Sequence, residues 1–144
     1  HMLSIPTGGF PQLIDVVDLN DDGRLDIAMT IQFQDYIYLY FADANGTFLL
    51  RQTLFTSHFS DLIGLMIVDY NNDTYLDISV MNKNSLHIYI FYGSIHGSYQ
   101  PQKLFFTAID CVYIGLVTGD FNSDHRIDIV VLRGWKHVVS MVYS

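Results

Sequence analysis

Asp18-Leu19-Asn20-Asp21-Asp22-Gly23-Arg24-Leu25-Asp26 is the stretch that decides the fold, because the chain uses its pattern three times. It returns as Asp69-Tyr70-Asn71-Asn72-Asp73-Thr74-Tyr75-Leu76-Asp77 and as Asp120-Phe121-Asn122-Ser123-Asp124-His125-Arg126-Ile127-Asp128. The first aspartates are 51 residues apart both times. Positions 1, 3, 5 and 9 of every copy are Asp, Asn, Asp and Asp. Those four side-chain oxygens, with a main-chain carbonyl expected at position 7, form much of the all-oxygen shell that a calcium ion takes. One D-x-N-x-D is ordinarily a solvated turn; three in a single register point to a repeated metal loop.

The repeat reaches well beyond the loop, as a search for internal periodicity shows. At the same shift Ile14 matches Leu65 and Leu116, and Ile27 matches Ile78 and Ile129. Asn45-Gly46-Thr47-Phe48 likewise matches His96-Gly97-Ser98-Tyr99. One unit reads as a strand over Leu13 to Val17, the loop, and a strand from Leu25 to Ile31. A turn at Gln32 to Asp35, a strand over Tyr36 to Ala42, an Asp43 to Gly46 hairpin turn and a strand over Thr47 to Phe55 complete it. Thr56 to Asp61 then crosses to the next unit. Four short strands joined by turns describe an antiparallel meander. The strands are apolar on both faces, as in Tyr36 to Phe41, which fits sheets covered on both sides. Stacked four-stranded units of this period predict an all-β fold, a β-propeller with about three blades per chain, better than a solenoid.

These residues resemble the FG-GAP/VCBS repeats of integrin-alpha-type β-propellers, whose signature is a D-x-[DN]-x-D-G-x-x-D loop between blade strands. The resemblance covers residues 3–144 and implies calcium binding in an extracellular or cell-surface adhesion or ligand-binding module. Carried over by position, it implies the ligands Asp18, Asn20, Asp22 and Asp26, then Asp69, Asn71, Asp73 and Asp77, then Asp120, Asn122, Asp124 and Asp128. The carbonyls of Arg24, Tyr75 and Arg126 would complete the shells of up to three Ca²⁺ per chain. One departure concerns position 6, which is Gly23 in the first loop but Thr74 and His125 in the others. If that residue needs a left-handed conformation, a β-branched residue suits it least, and affinity falls from loop 1 through loop 3 to loop 2. An EF-hand is excluded, since it needs a bidentate Glu at position 12, where Met29, Val80 and Val131 stand in strand-like runs.

Composition agrees. All 15 acidic residues of the 144-residue chain are Asp, and nine of them occupy positions 1, 5 and 9 of the loops. Without those nine the net charge of −8 would be +1, so the acidity is local to three sites. Seven scattered Lys and Arg make nucleic acid an unsuitable partner, and no run of 18 apolar residues could span a membrane as a helix. Cys111 is the only cysteine, which excludes an intrachain disulfide. Asn45-Gly46-Thr47 and Asn72-Asp73-Thr74 fit the N-glycosylation acceptor pattern.

The expected layout treats His1-Met2 as a cloning remnant and places blades near 3–54, 55–105 and 106–144, the last without its fourth strand. Propellers close with roughly four to eight blades, so three leave two apolar faces open. The expectation is a homodimer closing a six-bladed ring, with residues 3–5 of one copy exchanged as a strand into the third blade of the other.

Nothing in the chain reads as catalytic. It has no Gly-rich phosphate loop and no G-x-S-x-G, and its histidines lack a zinc spacing. The spare acids Asp15, Asp35, Asp43, Asp61 and Asp110 do not recur between units. Trp135, aligned with Phe33 and Asn84 in a blade turn, is the one residue that suggests a sugar platform. The sequence therefore predicts a non-catalytic calcium-binding module for a protein or glycan ligand. A lectin is the alternative, with a carbohydrate-active enzyme domain behind it.

Overall fold

A computed structural model describes residues 4–101, 103–107, 113–134 and 138–142. Asp110, Cys111, Trp135 and His137 lie outside the described residues. Strands β1 (Pro11–Val17), β2 (Asp26–Ile31), β3 (Tyr36–Ala42) and β4 (Phe48–Phe55) form one antiparallel sheet in chain order. The next unit supplies β5 (Leu62–Val68), β6 (Asp77–Asn82) and β7 (His87–Phe91). A small ladder of β8 (Gly93–Ser94) and β9 (Ser98–Tyr99), closed by a 3₁₀ turn at Ile95–Gly97, precedes β10 (Lys103–Thr107). β10 pairs with the outer side of β7, giving a second four-stranded sheet. The third sheet has β11 (Tyr113–Gly119), β12 (Asp128–Arg133) and β13 (Val138–Val142). Ser4–Phe10 carry no strand.

The fourth strand of the second unit departs from its counterpart. β4 is continuous, whereas its counterpart is divided between β9 and β10. Pro101, which has no N–H to give a ladder, stands in the gap, and Gln100 N–H turns back to the Tyr92 carbonyl at 3.0 Å.

The sheets stack face to face through residues that recur at the repeat shift. Leu65, Ile67, Ile78, Val80 and Phe91 of the second sheet share one core with Ala28, Ile37, Leu39 and Leu54 of the first. Leu116, Ile129, Val131 and Val142 of the third share another with Met66, Met81, Ile88 and Ile90 of the second. β6 is therefore buried at every position, the physical reason its sequence does not alternate. Each fully buried Ile or Val contributes about 1.5–3 kcal/mol.

The crossing from β4 to β5 is held by polar groups. Asp35 accepts from Ser60 N–H at 2.8 Å through its carboxylate and from the Thr56 hydroxyl at 2.9 Å through its carbonyl. Asn82 donates to Ser57 Oγ at 2.7 Å. Asp35 is thus more than a turn residue: it ties one sheet to the next. Asp15 is half-buried and accepts only its neighbour Val16's N–H, at 2.8 Å.

Candidate metal-binding loops

Each nine-residue motif joins the first two strands of a sheet: Asp18–Asp26 links β1 to β2, Asp69–Asp77 links β5 to β6, and Asp120–Asp128 links β11 to β12. The three loops share one conformation. Position 6 is left-handed in all of them: Gly23 at φ 82°, Thr74 at φ 76°, His125 at φ 68°. Position 4 is left-handed as well, at Asp21 (φ 58°), Asn72 (φ 60°) and Ser123 (φ 63°). The sequence reading singled out position 6 and missed position 4. The Asp and Asn at two of the three copies, residues that tolerate this region, were the available signal.

The side chains repeat with the backbone. The carboxylate at position 1 accepts the N–H groups of positions 5 and 6: Asp18 from Asp22 (3.1 Å) and Gly23 (2.7 Å), Asp69 from Asp73 (3.2 Å) and Thr74 (2.7 Å), Asp120 from Asp124 (3.1 Å) and His125 (2.9 Å). At position 3, Asn20, Asn71 and Asn122 accept the same position-5 N–H and donate to the position-5 carboxylate at 2.9–3.0 Å. At position 7, Arg24, Tyr75 and Arg126 donate their N–H groups to Asp22, Asp73 and Asp124 at 3.0, 2.9 and 2.9 Å. In the first loop alone the Arg24 guanidinium also pairs with Asp22 and reaches the Ala42 carbonyl at 3.1 Å.

Position 9 has a different place. Asp26, Asp77 and Asp128 are fully buried. One oxygen closes the loop, accepting from Leu19 N–H (3.0 Å), Tyr70 N–H (2.8 Å) and Phe121 N–H (3.1 Å) respectively. The other oxygen of Asp26 accepts Ala42 N–H, and that of Asp77 accepts Gly93 N–H, both at 2.8 Å. These donors lie at or just beyond the end of the third strand, so the carboxylate ties the loop to the neighbouring hairpin. Residue type and spacing did not reveal this second role.

Electrostatics separate the two ends of the loop. Burial would push Asp18 up, but N–H donors from Gly23, Asp22 and Asn20 outweigh it and hold the carboxyl below its ordinary range. The same balance, with donors from His125, Ser123 and Asp124, lowers Asp120. Burial pushes Asp26 and Asp77 above that range against their N–H donors, and the carboxylates at positions 5 and 1 add to the rise.

Among the described residues no three carboxylate, imidazole or thiol groups converge closely enough to hold a metal between them. The carboxylates at positions 1 and 5 instead face main-chain N–H groups of their own loop. The donor set nevertheless fits calcium: each loop offers three carboxylates and an amide oxygen, all hard ligands. Each carboxylate oxygen carries two lone-pair sites, so an N–H bond does not exhaust it.

Consecutive loops stand side by side. Asn72 at position 4 of the second loop donates to the His125 carbonyl of the third at 3.2 Å. Asp21 holds the same position in the first loop, and its side chain has no amide N–H. Between the first and second loops a cleft of about 250 Å³ opens instead, lined by Asp18, Asn20, Thr74, Tyr75 and His96.

The family model described as FG-GAP-like repeat matches residues 18–80 and again 69–131, each match running from one loop through the next. The chain belongs to the FG-GAP-like repeat family. Its three loops, their 51-residue spacing and the antiparallel sheets they open are the repeat as this chain builds it. No curated protein matches the chain. No helix among the described residues is long and apolar enough to cross a membrane.

Proposed function

We propose that this chain is a calcium-stabilised β-propeller segment serving as an extracellular binding or adhesion module, without catalysis. The observation that carries this reading is the threefold reuse of one loop. The donor set, the two left-handed positions and the buried position-9 carboxylate are the same each time in an FG-GAP-like repeat chain. Each loop gathers at least three carboxylates in nine residues, and their mutual repulsion is what a divalent cation would relieve. Asp18, Asp69 and Asp120 with their loop partners would hold the ion. The buried Asp26, Asp77 and Asp128 would couple that grip to the strands.

Calcium then acts as a structural clamp, neutralising charge where first and second strands meet, while ligands bind elsewhere on the stacked sheets. Ions that bind the folded state alone raise its stability by mass action. The test is thermal unfolding with calcium and with EDTA. Chelation lowers the melting temperature; superimposable curves would overturn the reading.

A further inference from the structure

Asn45-Gly46-Thr47 and Asn72-Asp73-Thr74 both fit the N-glycosylation acceptor pattern, and the pattern alone treats them alike. Both asparagines are exposed, so burial does not separate them either. Their side-chain amides do.

Asn45 stands in the hairpin turn between β3 and β4. That turn is closed by Asp43 N–H on the Thr47 carbonyl at 2.8 Å and by Gly46 N–H on the Asp43 carbonyl at 2.9 Å. Asn45 Oδ1 accepts the Thr47 N–H at 2.9 Å and the Thr47 hydroxyl at 2.7 Å. Both bonds stay inside the acceptor triplet and both use the oxygen. Among the described residues Asn45 Nδ2 has no partner. Asn72 is arranged the other way: its Nδ2 donates to the His125 carbonyl at 3.2 Å, reaching from the second loop to the third. It also stands between Asn71 and Asp73, whose side chains bond to each other at 2.9 Å. A sugar on Asn72 would have to fit between two loops and beside the side chains that would hold the ion.

The surface position of Asn45 does not depend on what precedes the first sheet. His96 fills the same position of the turn in the second unit. There the Phe41 ring of the first sheet lies against Gly97, and His96 is still exposed.

We propose that Asn45 carries an N-linked glycan and that Asn72 carries none. The proposal rests on the extracellular reading, because this modification belongs to secreted chains. The donor is a lipid-linked oligosaccharide pyrophosphate. Asn45 Nδ2 forms a bond to the anomeric carbon while the bond from that carbon to the pyrophosphate oxygen breaks. The lipid pyrophosphate leaves with the electron pair, and one Nδ2 proton passes to a base of the transferase. The other Nδ2 proton and both Thr47 contacts to Oδ1 are untouched, so the folded turn accepts the glycan as it stands.

The experiment directs the full chain into the secretory pathway of cultured animal cells behind an added signal peptide, so the outcome is independent of where the chain naturally resides. The extracellular reading is judged separately, by where the unaltered chain is found in its source cells. Chain recovered from cells and medium is weighed intact before and after peptide N-glycosidase, and peptide mapping locates the Asn-to-Asp conversion that this enzyme leaves. The wild-type chain carries one glycan, mapped to Asn45. Asn45→Gln and Thr47→Ala each read at the bare mass, and Asn72→Gln keeps the glycan. A wild-type chain at the bare mass, a glycan mapped to Asn72, or a glycan that survives Asn45→Gln overturns the proposal.

Discussion

Asp77 accepts the backbone N–H of Gly93 at 2.8 Å, joining the end of a loop to a residue 16 positions further on, past the third strand. Its other oxygen holds Tyr70 N–H, so a single buried carboxylate fixes the loop behind it and the hairpin ahead. Asp26 does the same with Leu19 and Ala42.

Position 9 therefore matters to the metal-free fold. Asp77→Ala strands two buried N–H groups and costs about 2–6 kcal/mol even in EDTA, since an unsatisfied buried donor costs about 1–3 kcal/mol. Asp18→Ala leaves its freed donors at an exposed loop, where water replaces them. It costs little in EDTA and removes most of the stabilisation calcium supplies at that loop. Urea denaturation of both variants, with and without calcium, separates the two roles.

Thr74 pays for its left-handed backbone as no other position-6 residue here does. Thr74→Gly stabilises the protein by about 1 kcal/mol, the scale of the left-handed penalty for an L-residue, and tightens the second loop's calcium site. Gly23→Thr does the reverse. No atom lies within 4 Å of where a Cβ at Gly23 would be, so backbone conformation alone sets that cost. Chemical denaturation and calcium titration of the two variants check the pair.

Two tyrosines make a second contrast. The Tyr99 hydroxyl is buried without a hydrogen-bond partner among the described residues, and its repeat counterpart is Phe48. Tyr99→Phe leaves stability unchanged or raises it. The Tyr70 hydroxyl bonds to Ser79 Oγ at 2.7 Å, and Phe121 stands at its counterpart position. Tyr70→Phe costs about 1 kcal/mol, the net worth of a typical hydrogen bond. Melting curves of the two variants should separate in that order.

Acid acts on the two ends of the loops in opposite senses. Burial raises Asp26 and Asp77 above the unfolded value of 3.8, so the folded state binds protons first. Lowering pH through that window relieves a cost and raises the stability of the metal-free protein. Asp18 and Asp120 are held below 3.8, so the unfolded state takes their protons first and stability is lost as pH falls through their folded values. Unfolding in EDTA across acidic pH should pass through a maximum. Calcium-loaded protein should instead lose stability throughout, because protons compete with the ion for the same oxygens.

Much of this architecture was legible in the residues because the loop and the strands repeat together. β3 runs over Tyr36–Ala42 as read, and β1, β2 and β4 start within two residues of their expected starts and end where expected. The Asp43 to Gly46 turn closes as expected, with Gly46 at φ 80°. Less legible was anything set by contacts between sheets. At the repeat counterpart of Gly46, Gly97 at φ 69° has the Phe41 ring 2.6 Å from where a Cβ would lie, and that crowding belongs to stacking. Position 9 hid its role for the same reason: an aspartate in a ligand pattern does not disclose that Ala42 or Gly93 will arrive beside it.

Whether these loops grip calcium can be read from native mass spectrometry of the chain before and after calcium is added. Calcium should add up to three ions per chain, one fewer in each of Asp18→Ala, Asp69→Ala and Asp120→Ala. A mass that does not change in calcium would contradict it.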